Sequence, residues 1–119
     1  MIRIFTSKTQ SLGERGENEA VAFLMKQGFS ILDRNVPNKF GEIDIVAQKD
    51  KITYFFEVKA GNQGSINPAE NLHPAKLRKF LISAEYYALS HNLKEYRAQG
   101  IIVLFHDDAS ASIEILDVS

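Results

Sequence analysis

Three features of the chain predict an α/β sandwich, a mixed five-stranded sheet flanked by helices. Two stretches, "GERGENEAVAFLMKQ" and "PAKLRKFLISAEYYALSH", repeat apolar residues at helical spacing. Five others carry short apolar or alternating runs of strand length. The elements then follow in the order α-β-β-β-α-β-β, which a sheet with helices packed on it accommodates. At 119 residues the chain can bury one sizeable core, so one domain over residues 1–119 is expected, with residues 1–12 as a flexible N-terminus.

Gly13 to Gln27 reads as a helix that Gly28 ends, because glycine takes the left-handed cap conformation cheaply. At about 100° per residue, Gly16, Ala20, Phe23 and Leu24 form its apolar stripe. Glu17 falls inside that stripe, whereas Glu14 and Glu19 do not. Phe29 to Asn35 reads as a short strand closed by a Pro37–Asn38 turn. Gly41 to Gln48 and Ile52 to Ala60 form the next two strands, joined tightly through Lys49–Lys51. "GNQGSINP", Gly61 to Pro68, reads as a polar, mobile loop. A second helix begins near Pro74, which suits a first helical position, and runs to about His91. Its apolar face is Leu77, Phe80, Leu81, Ala84 and Ala88. "GIIVLF", Gly100 to Phe105, is continuous enough for a strand covered on both faces. "HDDAS" turns into an edge strand, Ser112 to Val118.

Composition narrows the function. The formal net charge of −1 argues against a broadly basic nucleic-acid-binding surface. The local balance differs: between Gly61 and Ala84, Lys76, Arg78 and Lys79 are opposed only by Glu70. The chain has no cysteine, which removes disulfides and thiolate metal sites. No apolar run approaches the roughly 18 residues of a membrane span. The opening "MIRIFTSKTQSLGERG" has no signal-peptide h-region, so a cytoplasmic protein without a membrane partner is expected.

The charges within the central hairpin are the informative ones. Alternation puts Glu42, Asp44 and Val46 on one face of its first strand, and Thr53, Phe55, Glu57 and Lys59 on one face of its second. A two-residue turn at Asp50–Lys51 would set Asp44 opposite Glu57, where like charges destabilise a sheet. A shared proton, a neighbouring lysine or a divalent cation would each relieve the pair. An inward-facing Glu17 would add a third carboxylate, and three carboxylates meeting at one point suit Mg²⁺ or Mn²⁺. The plainer alternative is a solvent-facing Glu57–Lys59 ion pair worth under about 1 kcal/mol. Against it stand Ile45, Phe55, Phe56 and Val58, which mark the hairpin as central. The remaining polar candidates read as structural. His73, His91 and His106 are scattered, and "HDD" reads as a solvated turn. Phe80, Tyr86 and Tyr87 have helical spacing that suits packing better than base stacking.

Gly16–Glu17, Gly28–Phe29 followed by Arg34–Asn35, "GEIDIVA" at Gly41–Ala47 and "FEVKA" at Phe56–Ala60 resemble the YraN family. The likeness extends from about Gly13 to Val103. The resemblance implies a compact member of the PD-(D/E)xK nuclease superfamily, with the restriction-endonuclease-like core shared by Holliday-junction resolvases. By match, Asp44 would be the metal-binding aspartate, Glu57 and Lys59 the E-x-K pair, and Glu17 the helical glutamate of the resolvase-like branch. Glu42 occupies the family's GEID position. One departure stands out: the pattern continues E-V-K-x-R, whereas this chain has Gly61 in place of the arginine.

The implied function is a Mg²⁺- or Mn²⁺-dependent endonuclease acting on DNA, branched or single-stranded. Asp44, Glu57 and Lys59 would be catalytic, and Asp44, Glu57, Glu17 and the Val58 carbonyl would be the metal ligands. Lys76, Arg78 and Lys79 would contact the nucleic-acid backbone. A homodimer is expected if the substrate is a junction, whose strands are paired. The alternatives are a non-catalytic nucleic-acid-binding or adaptor domain on the nuclease scaffold, favoured by the net acidity and Gly61, and a protein-interaction module with a structural metal.

Overall fold

In the computed structural model, which describes residues 11–64 and 73–118, seven elements follow in the expected order. Helix α1 spans Leu12–Lys26 and begins with a capping box. The Ser11 hydroxyl accepts from the Glu14 N–H at 3.1 Å, and the Glu14 carboxylate accepts from the Ser11 N–H at 3.0 Å. Residues 1–10 of the expected N-terminal tail lie outside the described residues, and Ser11 and Leu12 belong to the helix and its cap. Gly16, Ala20 and Leu24 are buried, as the apolar stripe predicts. At Gly16 the helix runs so close to the sheet that an added Cβ would collide with the Ala60 Cβ.

The sheet consists of β1 (Ser30–Asn38), β2 (Gly41–Lys49), β3 (Ile52–Asn62), β4 (Tyr96–Phe105) and β5 (Ala111–Asp117), in spatial order β1-β2-β3-β4-β5. Every neighbouring pair is antiparallel except β3 and β4, which are parallel and joined through α2 (Pro74–Ser90). The helices cover opposite faces. Ala20 and Leu24 of α1 pack with Ile45, Phe56, Ile101 and Val103; Phe80, Ala84 and Ala88 of α2 pack with Ile43, Val46, Phe55 and Ala98. Among the described residues no helix is long and apolar enough to cross a membrane.

Strands β1, β3 and β4 are longer than their composition predicts. β1 continues through Pro37 to Asn38, where the sequence suggested a turn. It is an edge strand, so a residue lacking an N–H costs the sheet nothing on its open side. β4 begins at Tyr96, four residues before the apolar run, because the parallel ladder with β3 opens at Thr53↔Tyr96. The Gly61–Pro68 loop starts later than expected, since Gly61 and Asn62 still pair with Leu104 and Phe105. Residues 65–72 lie outside the described residues.

Candidate metal and nucleic-acid site

Asp50 and Lys51, at φ 53° and 68°, form the two-residue turn between β2 and β3. Positive φ at both positions is the geometry that matches the twist of a hairpin. The resulting register runs from Lys49↔Ile52 to Ile45↔Phe56 and stops there. Beyond that pair β2 stays with β1 as far as Gly41, and β3 stays with β4 as far as Asn62. The two central strands therefore part, and the next residue on each is an acid: Asp44 and Glu57.

Asp44 does a backbone's work in this gap. Its Oδ2 accepts the Val58 N–H at 2.8 Å, satisfying a donor that the parted strand no longer reaches. Because the N–H and C=O of one strand residue face the same neighbour, the Val58 carbonyl faces the gap as well. Ile43 and Val46 both join the α2-side cluster although three residues apart, so β2 departs from strict alternation around Asp44. The aspartate consequently lines clefts on both sides of the opening.

Glu57 is 8 % exposed. Burial, then the Asp44 charge and a hydrogen bond with the Asp44 carboxyl, push its pKa up to about 8. Burial also raises Asp44, with the Glu17 charge adding to it, while the Val58 N–H and the hydrogen bond from Glu57 pull it down. The proton of the pair thus sits on Glu57, which donates to Asp44. The charges of Lys76 and Lys59 oppose the rise at Glu57. Lys59, Lys76 and Lys79 line the larger cleft, about 470 Å³, and form no ion pair among the described residues. Arg78 is exposed but does not line it. Two positions along a helix from Lys76, it points about 200° away.

Glu17 is turned inward as its helical position predicts, with a side chain 12 % exposed. Its carboxylate is committed locally: Oε1 accepts from Arg34 Nη2 at 2.9 Å, Arg34 Nε at 3.1 Å and Asn35 Nδ2 at 2.9 Å. Arg34 also donates to Asn18 Oδ1 at 2.8 Å. Among the described residues no group of three His, Cys, Asp or Glu side chains is gathered tightly enough to hold a metal ion. Asp44 and Glu57 meet at the larger cleft, and Glu17 lines the second cleft with Asp44 and Val58 while its carboxylate is held by Arg34 and Asn35. Glu42 is exposed on the rim of the cleft.

The pair still suits a divalent cation of the Mg²⁺ type. Mg²⁺ keeps several waters and is bound through one or two carboxylates plus substrate phosphates, not in an all-protein cage. A buried carboxyl and a half-buried one sharing a proton are a site where a cation can replace that proton.

Several contributors were not singled out as site residues in the sequence, although Arg34–Asn35 forms part of the family motif. Arg34 and Asn35 reach Glu17 only because β1 runs beside α1, with Asn35 at φ 51°. Ser83 is fully buried, on a helix face expected to be apolar, and donates to Asn38 Oδ1 at 3.2 Å. Tyr87 packs edge-on against Phe55, as expected, whereas Tyr86 is 43 % exposed beside Phe40. His73 caps α2, accepting from the Ala75 N–H at 3.2 Å. His91 stacks on Tyr87 with ring centroids 3.9 Å apart. His106 bonds to Gln63, just beyond β3, and to Ser112 across the β4–β5 turn.

Comparison with known proteins agrees with this architecture. Residues 16–105 match the family described as uncharacterised protein family UPF0102. A UPF0102 protein of Campylobacter jejuni is 48 % identical over 95 residues, 80 % of this chain and 84 % of that one. One from Nitratiruptor is 39 % identical over 97 residues, 81 % of this chain and 85 % of that one. Among solved structures, Hjc, a Holliday junction resolvase from Archaeoglobus fulgidus, superposes with a TM-score of 0.52. The superposition covers 86 % of this chain and 75 % of Hjc at 19 % identity, and it shows a shared fold.

Proposed function

The chain belongs to the UPF0102 (YraN) family, and from that premise and the geometry of the β2–β3 opening we propose that it is a divalent-metal-dependent endonuclease of DNA, branched DNA included. One observation carries the reading. A buried Glu57 and a half-buried Asp44 share a cleft with three lysines that have no ion-pair partner among the described residues, on a resolvase-like fold. Acids alone would repel a phosphodiester. Lysines alone would bind one without cutting it.

Asp44, Glu57 and the Val58 carbonyl would hold Mg²⁺ or Mn²⁺. The ion would supply Lewis-acid polarisation of the phosphodiester and activation of water. For that, Glu57 must give up the proton it shares with Asp44. Glu17, fixed by Arg34 and Asn35, orients water behind Asp44 with the oxygen that accepts no hydrogen bond among the described residues. Lys59, two residues from Glu57 on the same strand face, presents its ammonium to the developing charge on phosphate oxygens. Lys76 and Lys79 hold flanking phosphates from the first turns of α2. A DNA substrate implies the cytoplasm as the place of action, and a junction substrate a homodimer.

The test is cleavage of a labelled panel of duplex, single-stranded and four-way-junction DNA in Mn²⁺ and in Mg²⁺, with Asp44→Ala and Lys59→Ala alongside. Calorimetric titration with Mn²⁺ accompanies it. Cleavage by the wild type, abolished in both variants, together with Mn²⁺ binding lost in Asp44→Ala, supports the reading. Unchanged Mn²⁺ binding in Asp44→Ala removes Asp44 from the site. Gly61, buried in β3 where the family pattern has an arginine, favours a second reading: an adaptor that binds DNA without cutting it. Salt-sensitive binding with no cleavage in either metal selects that alternative.

A further inference from the structure

The cleft ends in an aromatic surface that phosphodiester chemistry does not use. Phe40, in the turn between β1 and β2, lines the same cleft as Asp44 and Glu57. Its ring meets that of Tyr86 on α2 edge-on, with centroids 5.6 Å apart at 70°. The rings are 38 % and 43 % exposed. Lys39 sets its ammonium 5.4 Å from one centroid and 5.5 Å from the other.

The turn is held in place. The Phe40 N–H donates to Asn38 Oδ1 at 2.8 Å, and the same oxygen accepts from the buried Ser83 hydroxyl of α2 at 3.2 Å. Gly41, at φ 150°, completes the turn, and a Cβ there would come within 3.7 Å of Ser83 Oγ. The cost of exposing two rings is thus accompanied by hydrogen bonds that fix where they stand.

The chemistry around the rings selects the occupant. Lys39 stands over both rings, and Lys76 and Lys79 line the cleft that Phe40 helps to form, so the region favours a polyanion. A polyanion that also carries flat aromatic faces is a nucleic acid. A base stacked and paired within a duplex has no face to offer, whereas an unpaired one does. We propose that Phe40 and Tyr86, with Lys39, form a stacking platform for an unpaired nucleobase next to the scissile phosphate. The preferred DNA then has single-stranded character at the cleft, as at a gap, a flap or the open centre of a junction. This inference rests on the DNA reading above and specifies its substrate.

The experiment measures fluorescence anisotropy in Ca²⁺ with two labelled DNAs of one sequence, an intact duplex and the same duplex with a short gap containing 2-aminopurine. The wild type is expected to bind the gapped DNA about tenfold more tightly and to quench the 2-aminopurine emission. Phe40→Ala and Tyr86→Ala should each lose the preference and the quenching while keeping affinity for the intact duplex; Phe40→Trp should retain both. Equal affinity of the wild type for the two DNAs, or a preference that survives both alanine variants, overturns the platform and leaves the nuclease reading standing. Failure to bind either DNA overturns both.

Discussion

Glu57 links the chemistry of the site to the stability of the fold. Its carboxyl titrates at about 8 against an ordinary value of 4.5, because burial and the Asp44 charge disfavour the ionised form. The folded state therefore prefers the protonated acid. The stabilisation is complete below the ordinary value and is lost as pH rises through about 8, a change on the order of a few kcal/mol. In the absence of divalent metal, the melting temperature is expected to fall as pH is raised from about 5 to about 9. Glu57→Gln should flatten that slope and melt above the wild type at the alkaline end; parallel melting curves for the two proteins would show that Glu57 is not strained. A cation at the site competes with the same proton, so Mn²⁺ affinity should rise with pH until Glu57 is ionised, then level off, as calorimetry at several pH values can read. That Asp44 and Glu57 come side by side was legible, because the short turn fixes the register up to the pair before them; the parting of the strands there and the break in alternation of β2 at Asp44 were not. Glu17 was legible only in its inward direction. The Arg34 and Asn35 side chains that hold it back come from a strand whose position beside α1 has no local signature.

The elements set the site through their ends and close approaches more than through their middles. Helix α1 can bring Glu17 near Asp44 only because Gly16 lets it press on Ala60 of β3. Gly16→Ala should cost about 1–3 kcal/mol in chemical denaturation through overpacking, and adding Ala60→Gly should recover part of it; independent, additive effects would mean that the contact does not limit the approach. The capping box is a separate contribution, and Ser11→Ala is expected to cost about 1 kcal/mol without altering Mn²⁺ binding. Most elements could be read from apolar periodicity, since α1, α2, β2 and β3 each bury a face the sequence makes plain. The misread ends share a cause. Pro37 sits on an edge where its missing N–H is harmless, and Tyr96–Gln99 join β4 because β3 is already there to pair with them. Both depend on strand neighbours, which a local pattern does not contain. Ser83 belongs with them: a hydroxyl on an apolar helix face is explained only by Asn38 across the gap.

At the scale of the whole molecule, a formal net charge of −1 is compatible with DNA binding only if the cations are concentrated where the substrate lies. On the proposed reading the relevant cations are Lys59, Lys76 and Lys79, which line the cleft beside Glu42, Asp44 and Glu57, and Lys39, which stands by Phe40 at its end. Arg34 and Arg97 are paired with Glu17 and Glu95, and Arg15, Lys26, Lys49, Lys51, Arg78 and Lys94 do not line it. Each lysine that neutralises a phosphate releases counterions, so its loss should lower the slope of log affinity against log salt by roughly one. Lys76→Ala and Lys79→Ala are each expected to do so, for duplex and gapped DNA alike, when binding is measured across a salt series in Ca²⁺. Arg78→Ala, on the other side of α2, should leave the slope unchanged. The Arg78 comparison is the discriminating one, because it removes the same formal charge from the same helix. If all three variants shift the slope equally, the DNA is responding to the net charge of α2 and not to a track along the cleft. The path from the lysines to the Asp44–Glu57 pair would then have to be drawn elsewhere on the protein.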